Sequence, residues 1–130
     1  MTRLDFIGLT VDDLGASLAF YRLLGVPIAE GAEESEHGHV EAELPGGMRL
    51  GWDTVDVIRS FDPEWTPPSG SDRIGLAFLC DSPADVDSTY RQLVDAGYEG
   101  YKEPWDAFWG QRYAQIKDPD GNTVSLFASL

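Results

Sequence analysis

The side chains that could take part in catalysis are few and poorly grouped. His37 and His39 form a His-x-His pair that supplies two metal ligands, whereas protein zinc sites use at least three. Cys80 is the only cysteine, which excludes an internal disulfide and a thiolate metal cluster. Strand alternation predicts that its thiol is buried and inert. Gly46 and Gly47 fit a hairpin turn rather than a phosphate-binding loop. The sequence also shows no pairing of a nucleophile with a base.

Aromatic side chains are the more informative chemical group. Trp105, Phe108 and Trp109 lie within five residues of each other, in the segment EPWDAFWGQ, whose proline and glycine are typical of a surface loop. Such rings can stack on a planar ligand, each pair contributing about 0.5–1.5 kcal/mol beyond area burial. They could instead pack a dimer interface, where tryptophan is also enriched. From the residues alone both interpretations stay open.

Size and charge narrow the choice of partners. The chain has 130 residues, the size of one domain, with 9 Lys and Arg against 23 Asp and Glu, and a formal net charge of −14. This charge argues against nucleic-acid partners and anionic membranes, because phosphate binding depends on clustered cations. No run of about 18 apolar residues occurs, so we expect no membrane insertion. The N-terminal residues lack the apolar run of a signal peptide, and we expect a cytoplasmic protein.

An internal repeat predicts the elements that must position these residues. The segment FIGLTV (6–11) aligns without gaps with RIGLAF (73–78), and both alternate like half-buried strands. A helical pattern follows each segment, with an N-cap residue before it and a terminating glycine after it. These residues are Asp12 or Asp13 with Gly25 in the first copy, and Ser82 with Gly97 in the second.

Two turn motifs complete each half of the repeat. Pro-Gly-Gly at 45–47 and the Asp-Pro-Asp-Gly-Asn turn at 118–122 each lead from one alternating strand into another. The sequence therefore predicts an α+β fold, a single domain (residues 1–130) of two βαβββ modules. The predicted boundaries are about 1–53 for the first module, 54–72 for an ordered connecting strap, and 73–130 for the second module.

These motifs resemble those of the vicinal oxygen chelate superfamily, which includes glyoxalases, extradiol dioxygenases and bleomycin-type resistance proteins. The resemblance covers essentially the whole chain and rests on the paired modules, the opening LDFIGLTVDDLGASLAFYRLLGV and the closing KDPDGNTVSLF. Two further segments, RLGWDTVDVIRSFDPEW and LVDAGYEGYKEPWDAFWGQRYAQIKDPDGN, are similar to the mitomycin-binding resistance proteins within it. The resemblance implies a cupped sheet and a homodimer of paired modules with two equivalent sites.

Enzymes of this superfamily hold a divalent metal ion on the concave sheet face. Their ligands are a His, Gln or Glu on the first strand of each module and a Glu on the last strand. The matching residues here are Phe6, Arg73, Gly51 and Ser125, of which only serine can ligate, and poorly. Asp53 is a single carboxylate on the same predicted face, which makes no acid–base pair. We therefore expect no metal, no cofactor and no enzymatic activity; the alternative is a metal-dependent glyoxalase or dioxygenase-type enzyme.

The resemblance to the mitomycin-binding proteins implies a drug-binding site. His39 and Trp109 occupy the positions that would hold a planar drug between them. Neighbouring residues in the matching motifs, and the residue lining the concave face, join the expected ligand-binding set: Asp53, Trp105, Arg112 and Phe6. The expected function is sequestration of a planar aromatic antibiotic, a mitomycin-like quinone or a quinoline- or quinoxaline-type chromophore, giving resistance or carriage for export.

Overall fold

The computed structural model describes residues 1–130, which divide into two units, Met1–Ser69 and Gly70–Leu130. Each unit is a small sheet with helices, which confirms the α+β class. The division falls within the predicted connecting strap. No helix in the chain is both long enough and apolar enough to cross a membrane.

The first unit is a three-stranded sheet. Strand β1 runs parallel to β3, and β2 pairs with β3 in antiparallel fashion, giving the order β1-β3-β2. The elements are β1 (Phe6–Val11), α1 (Leu14–Leu23), a 3₁₀ turn (Ala32–Glu34), β2 (His39–Glu43), β3 (Arg49–Thr54) and α2 (Val55–Phe61).

This unit has one strand fewer than the predicted βαβββ module. Residues 24–38 form turns and the 3₁₀ turn instead of an outer strand. Gly31 and Gly38 adopt left-handed backbone φ angles of 78° and 68°, which an extended strand cannot contain. The strap prediction also missed α2, a helix of seven residues that follows β3 directly.

The second unit is a complete βαβββ module, as predicted. Its sheet has the order β4-β7-β6-β5, with β4 parallel to β7 and the remaining neighbours antiparallel. The elements are β4 (Leu76–Leu79), α3 (Pro83–Asp95), β5 (Gly100–Ala107), β6 (Gln111–Lys117) and β7 (Thr123–Ser129).

Strand β4 begins later than the repeat predicts. Arg73 and Ile74 lie outside it, and the Ile74 side chain is 82% exposed instead of buried. The Asp72 carboxylate accepts a hydrogen bond from the backbone N–H of Thr123 at 2.8 Å. A side chain therefore takes the β7 donor that a longer β4 would have paired, and the ladder starts at Leu76.

Side-chain caps fix the helix starts where the sequence predicts them. The Asp13 carboxylate accepts from Ala16 N at 3.0 Å, and Ser82 Oγ accepts from Asp85 N at 3.2 Å. The unpredicted helix α2 has a cap as well, since Thr54 Oγ1 accepts a hydrogen bond within its first turn. Each cap satisfies a backbone donor that has no partner inside the helix.

One face of each sheet packs against the unit's main helix. In the first unit Trp52 is fully buried, and its ring meets that of Tyr21 on α1 edge-on at 5.7 Å between centroids. In the second unit Val86 and Leu93 of α3 are fully buried, as are the strand residues of the same face: Ala114, Ile116, Val124 and Leu126. Cys80 is half-buried beside β7, and burial raises the pKa of its thiol, as expected for an inert cysteine.

The opposite face of each sheet carries the residues with functional potential. We call the face opposite α1 the first open face and the face opposite α3 the second open face. Alternation places Phe6, Gly51 and Asp53 on the first open face, together with His39 and Glu41 of β2. The second open face carries the alternate residues of β4 to β7, among them Ala77, Trp105, Tyr113, Gln115, Ser125 and Phe127.

Candidate functional site

His39 lies between two carboxylates on the first open face. Its Nδ1 lies 2.5 Å from Asp53 Oδ1, directly opposite it on β3, and its Nε2 lies 2.7 Å from Glu41 Oε2. Carboxylates only accept hydrogen bonds, so both ring nitrogens must donate and the ring is an imidazolium. The bond to Glu41, followed by that to Asp53, raises the pKa of His39 above its ordinary value.

Arg49 extends this arrangement into a continuous chain of charges. Its Nη1 donates to Glu41 Oε1 at 2.6 Å and its Nη2 to Asp5 Oδ2 at 2.7 Å. Its guanidinium carbon lies 5.1 Å from the centroid of the Phe6 ring. The Phe6 ring in turn lies 6.4 Å from the His39 ring, with 26° between their planes. The first open face therefore carries the Phe6 and His39 rings, surrounded by side chains in ion pairs.

Sequence reasoning missed Glu41, which connects His39 to Arg49. The signal was present, because residues two apart on a strand share a face and Glu41 follows His39 by two. His37 lies before β2 and takes no part, so the His-x-His pair does not share a strand face.

The first open face does not fit the metal ion that the superfamily resemblance implies. The Phe6 ring lies across Gly51, where those enzymes place an acidic ligand. A Cβ atom on Gly51 would stand 2.5 Å from Cε2 of Phe6 and still closer to Cζ, so a glutamate cannot be accommodated without moving the ring. Phe6 and Gly51 together supply an apolar contact in place of two donors.

The second unit also lacks the expected donors. Ser125 Oγ accepts a hydrogen bond from Gln115 Nε2 at 3.2 Å, and Ala77 is its neighbour on β4. Arg73, which the repeat aligned with Phe6, lies outside β4 and has no register partner there; that placement was wrong. No group of three or more His, Cys, Asp or Glu side chains is arranged so that it could hold a metal ion. The residues present therefore do not fit a superfamily-type metal centre.

Four rings form the aromatic surface on the second open face: Trp105, Trp109, Tyr113 and Phe127. Trp105 and Tyr113 are direct neighbours on β5 and β6, with centroids 5.4 Å apart. Trp109 meets Tyr113 at 5.3 Å and Trp105 at 6.0 Å, nearly perpendicular to both. The Phe127 ring is inclined by 28° to that of Tyr113, with 6.3 Å between their centroids. These are favourable edge-to-face and offset geometries, so the rings hold one another in place.

Trp109 is the exposed member of the aromatic surface. It lies in the β5–β6 turn, where Gly110 adopts a φ of 92°, and it is 47% exposed. Its Nε1 nevertheless donates to Gln111 Oε1 at 2.8 Å, which fixes the indole. Phe108 beside it is 97% exposed, and Lys102 lies 5.1 Å from the Trp105 ring. Among the four rings of the aromatic surface, Trp109 is therefore the most accessible to a ligand.

The sequence-predicted site residues fall into separate groups. His39, Asp53 and Phe6 lie together on the first open face, and Trp105 and Trp109 lie together on the second. Arg112 belongs to neither group, because it lies on the α3 side of β6. Its Nε donates to Asp87 Oδ1 at 2.9 Å and its Nη1 to Asp106 Oδ1 at 3.1 Å. These carboxylates hold the Arg112 side chain against α3 and β5, and we leave it out of the proposed site.

The chain matches a known family profile over nearly all of its length. The profile described as "Glyoxalase/Bleomycin resistance protein/Dioxygenase superfamily" covers residues 3–126. Among curated proteins, "Uncharacterized protein YraH" of Bacillus subtilis (strain 168) is 29% identical over 131 residues, which are 95% of this chain and 96% of the relative.

Two solved structures are similar to this chain in fold. A glyoxalase/bleomycin resistance protein/dioxygenase from Nocardioides is 28% identical, with a TM-score of 0.75, covering 100% of this chain and 85% of that one. A glyoxalase/bleomycin resistance protein/dioxygenase family enzyme from Burkholderia phytofirmans PsJN is 20% identical, with a TM-score of 0.84, covering 99% and 100%. The second likeness shows the fold alone. The superfamily's name spans resistance proteins and enzymes, so the choice between them depends on the residues of this chain.

Proposed function

This chain belongs to the glyoxalase/bleomycin resistance protein/dioxygenase superfamily, and we propose that it acts within it as a cytoplasmic drug-binding protein. Its ligand is a planar aromatic antibiotic, either a mitomycin-like quinone or a quinoline- or quinoxaline-type chromophore. Binding sequesters the compound and so confers resistance, or carries it for export. The observation that carries the proposal is the aromatic surface, with Trp109 half-exposed at its edge.

The aromatic surface suits a planar ligand because its rings are fixed before binding. Trp109 is held by its hydrogen bond to Gln111 and by edge contacts with Trp105 and Tyr113. Ordering a free side chain on binding costs about 0.5–1.5 kcal/mol, and this cost is largely absent here. A flat ligand that covers the exposed part of Trp109 therefore keeps most of the stacking free energy.

Binding without turnover agrees with the residues of both open faces. The positions expected to ligate a metal carry Phe6 on Gly51 in the first unit and Ser125 beside Ala77 in the second. Both nitrogens of His39 already contact carboxylates, so the ring has no free nitrogen with which to accept a proton. The motifs around Trp109 also resemble those of the mitomycin-binding resistance proteins.

We include a homodimer in the proposal, as the resemblance implies. Phe108 at 97% exposure and Leu79 at 73% are large apolar side chains that a second copy would cover. Sedimentation analysis should give twice the chain mass of 14.3 kDa. A single species at the chain mass would remove the dimer from the proposal without affecting the aromatic surface.

Titration with mitomycin C, in which binding is measured by equilibrium dialysis, tests the binding proposal. Wild type should bind saturably, with one compound per chain, and Trp109→Ala should bind at least about tenfold more weakly because it loses the main stacking surface. Trp65→Ala is the matched control, since Trp65 is half-buried and contacts Arg59 within the first unit. Equal affinities of wild type and Trp109→Ala, or weakening by Trp65→Ala alone, would contradict the proposal.

The enzyme alternative has its own test. The purified protein is incubated with zinc, nickel and manganese salts, dialysed, and subjected to elemental analysis. We expect no ion retained in a fixed ratio to the chain, because no group of three ligating side chains is arranged to hold one. Retention of one divalent ion per chain would favour a metal-dependent enzyme instead.

A further inference from the structure

A polar pocket of about 500 Å³ lies at one end of the second unit's sheet. It is bounded by residues 70–75 on one side and by β6 and β7 on the other. Its walls carry two cations, Arg73 and Lys117, together with neutral polar groups from Gln115, Tyr101 and Thr123. A pocket with two cations is unexpected on a chain with 9 Lys and Arg against 23 Asp and Glu.

Lys117 is fixed in the wall of this pocket. Its Nζ donates to Thr123 Oγ1 at 2.6 Å and lies 4.3 Å from the centroid of the Tyr101 ring. Its side chain is only 19% exposed. Asp72 is the one acidic residue in the lining, and it lies at the limit of ion pairing, 4.0 Å from Nζ. The Asp72 carboxylate accepts a hydrogen bond from the backbone N–H of Thr123 at 2.8 Å. It therefore neutralises the charge of Lys117 only in part.

Arg73 has no partner in the protein. The two arginines within the strands form ion pairs with carboxylates, Arg49 with Glu41 and Arg112 with Asp87. Arg73 makes no hydrogen bond, ion pair or ring contact, although its guanidinium carries five donors in a planar fork that fits a carboxylate. The pocket therefore carries two positive charges, on Arg73 and Lys117, against the one negative charge of Asp72.

The pocket and the aromatic surface lie along one strand. Tyr113, Gln115 and Lys117 alternate on the second open face of β6. At about 3.3 Å per residue, Tyr113 and Lys117 are about 13 Å apart along the strand. A ligand stacked on the aromatic surface can therefore place an acidic group in the pocket through an extended spacer of about eight bonds, which together with the ring covers that distance.

We propose that the ligand is an aromatic carboxylate, whose ring contacts the aromatic surface and whose carboxylate binds Arg73 and Lys117. This inference rests on the proposed function and specifies the chemical class of ligand.

A pair of compounds that differ only in charge tests the inference. N-(quinoline-2-carbonyl)-6-aminohexanoic acid carries the carboxylate on a spacer of about that length, and its 6-aminohexanamide counterpart is neutral. By isothermal titration calorimetry, wild type should bind the acid about tenfold more tightly than the amide, the scale of a charge-assisted hydrogen bond. Arg73→Gln should remove that preference, whereas Arg91→Gln, an exposed arginine on α3, should preserve it.

The outcomes separate this inference from the proposed function. If wild type binds acid and amide equally and Trp109→Ala weakens both, the aromatic surface binds planar ligands and the carboxylate inference is wrong. If Arg73→Gln and Arg91→Gln reduce acid binding equally, a general charge effect explains the preference and the inference is wrong. Absence of binding by both compounds also overturns it, while the mitomycin C titration still decides the proposed function.

Discussion

Replacing Gly51 with alanine tests whether the Phe6 ring occupies the metal-ligand position of the first open face. Gly51 has an ordinary strand backbone, so alanine is conformationally acceptable there. The added methyl group, however, would stand 2.5 Å from Phe6 Cε2 and closer to Cζ. The ring must swing away from the sheet, because the backbone of β3 is paired on both sides.

Two opposing contributions determine the size of the effect. Moving the half-buried Phe6 ring off the sheet exposes roughly 60 Å² of apolar surface, which costs about 1.5 kcal/mol. Alanine in place of glycine restricts the unfolded chain and returns about 0.5–1 kcal/mol. Gly51→Ala should therefore destabilise wild type by about 0.5–1 kcal/mol, by the difference of these contributions. In a Phe6→Ala background only the second contribution remains, and the same substitution should stabilise.

Urea denaturation of the four proteins of this double-mutant cycle gives the coupling free energy directly. We expect a coupling of about 1.5 kcal/mol and a change of sign between the two backgrounds. Gly75→Ala is the control, since its Cβ would meet only the Thr123 carbonyl oxygen at an ordinary 3.7 Å. An equal effect of Gly51→Ala in both backgrounds would refute the reasoning, because the ring would then not cover Gly51.

Substitutions at three further positions have distinct expected results. Asp53→Asn removes a carboxylate that raises the pKa of His39, so in an NMR titration that pKa should move back toward 6.5. In wild type, the His39 imidazolium stabilises the fold fully below pH 6.5, and this stabilisation is lost as the pH rises through the folded-state pKa. Arg112→Gln should lower the melting temperature but leave mitomycin C affinity unchanged, because its partners lie on the α3 side. Asp118→Ala should cost about 2–4 kcal/mol in urea denaturation, since this buried carboxylate accepts three hydrogen bonds in its turn. Asp118→Asn should cost less, because it retains the two backbone bonds to Oδ1.

A defined outcome would contradict each of these predictions. An unchanged His39 titration in Asp53→Asn would show that the pairing across β2 and β3 is absent in solution. Loss of mitomycin C binding in Arg112→Gln would return that residue to the ligand site. Equal destabilisation by alanine and asparagine at Asp118 would show that the backbone bonds of the turn contribute little.

The local elements were predictable because each depends on neighbouring residues. The caps at Asp13 and Ser82 and the strand alternation of β1 follow from short sequence patterns, and the structure confirms them. Alternation would also have placed Glu41 with His39, and Arg112 with the buried Ala114 on the α3 side, had it been applied there. Both placements therefore follow from a local sequence rule.

Other features could not be obtained from local patterns. The late start of β4 depends on a hydrogen bond between Asp72 and Thr123, which are 51 residues apart in the chain. The Phe6 ring across Gly51 depends on the register of β1 with β3, which pairs Gly8 with Gly51. Both are tertiary contacts, and they decide the chemistry of the two sheets.

The most direct test of the central claim is the indole N–H region of a ¹H–¹⁵N spectrum recorded during titration with mitomycin C. The chain has four tryptophans, and Trp109→Phe assigns the relevant resonance by its disappearance. We predict that the Trp109 signal shifts progressively and saturates, while the fully buried Trp52 signal stays in place. A Trp109 signal that does not respond to the drug, or that responds only to an added divalent metal ion, would contradict the account.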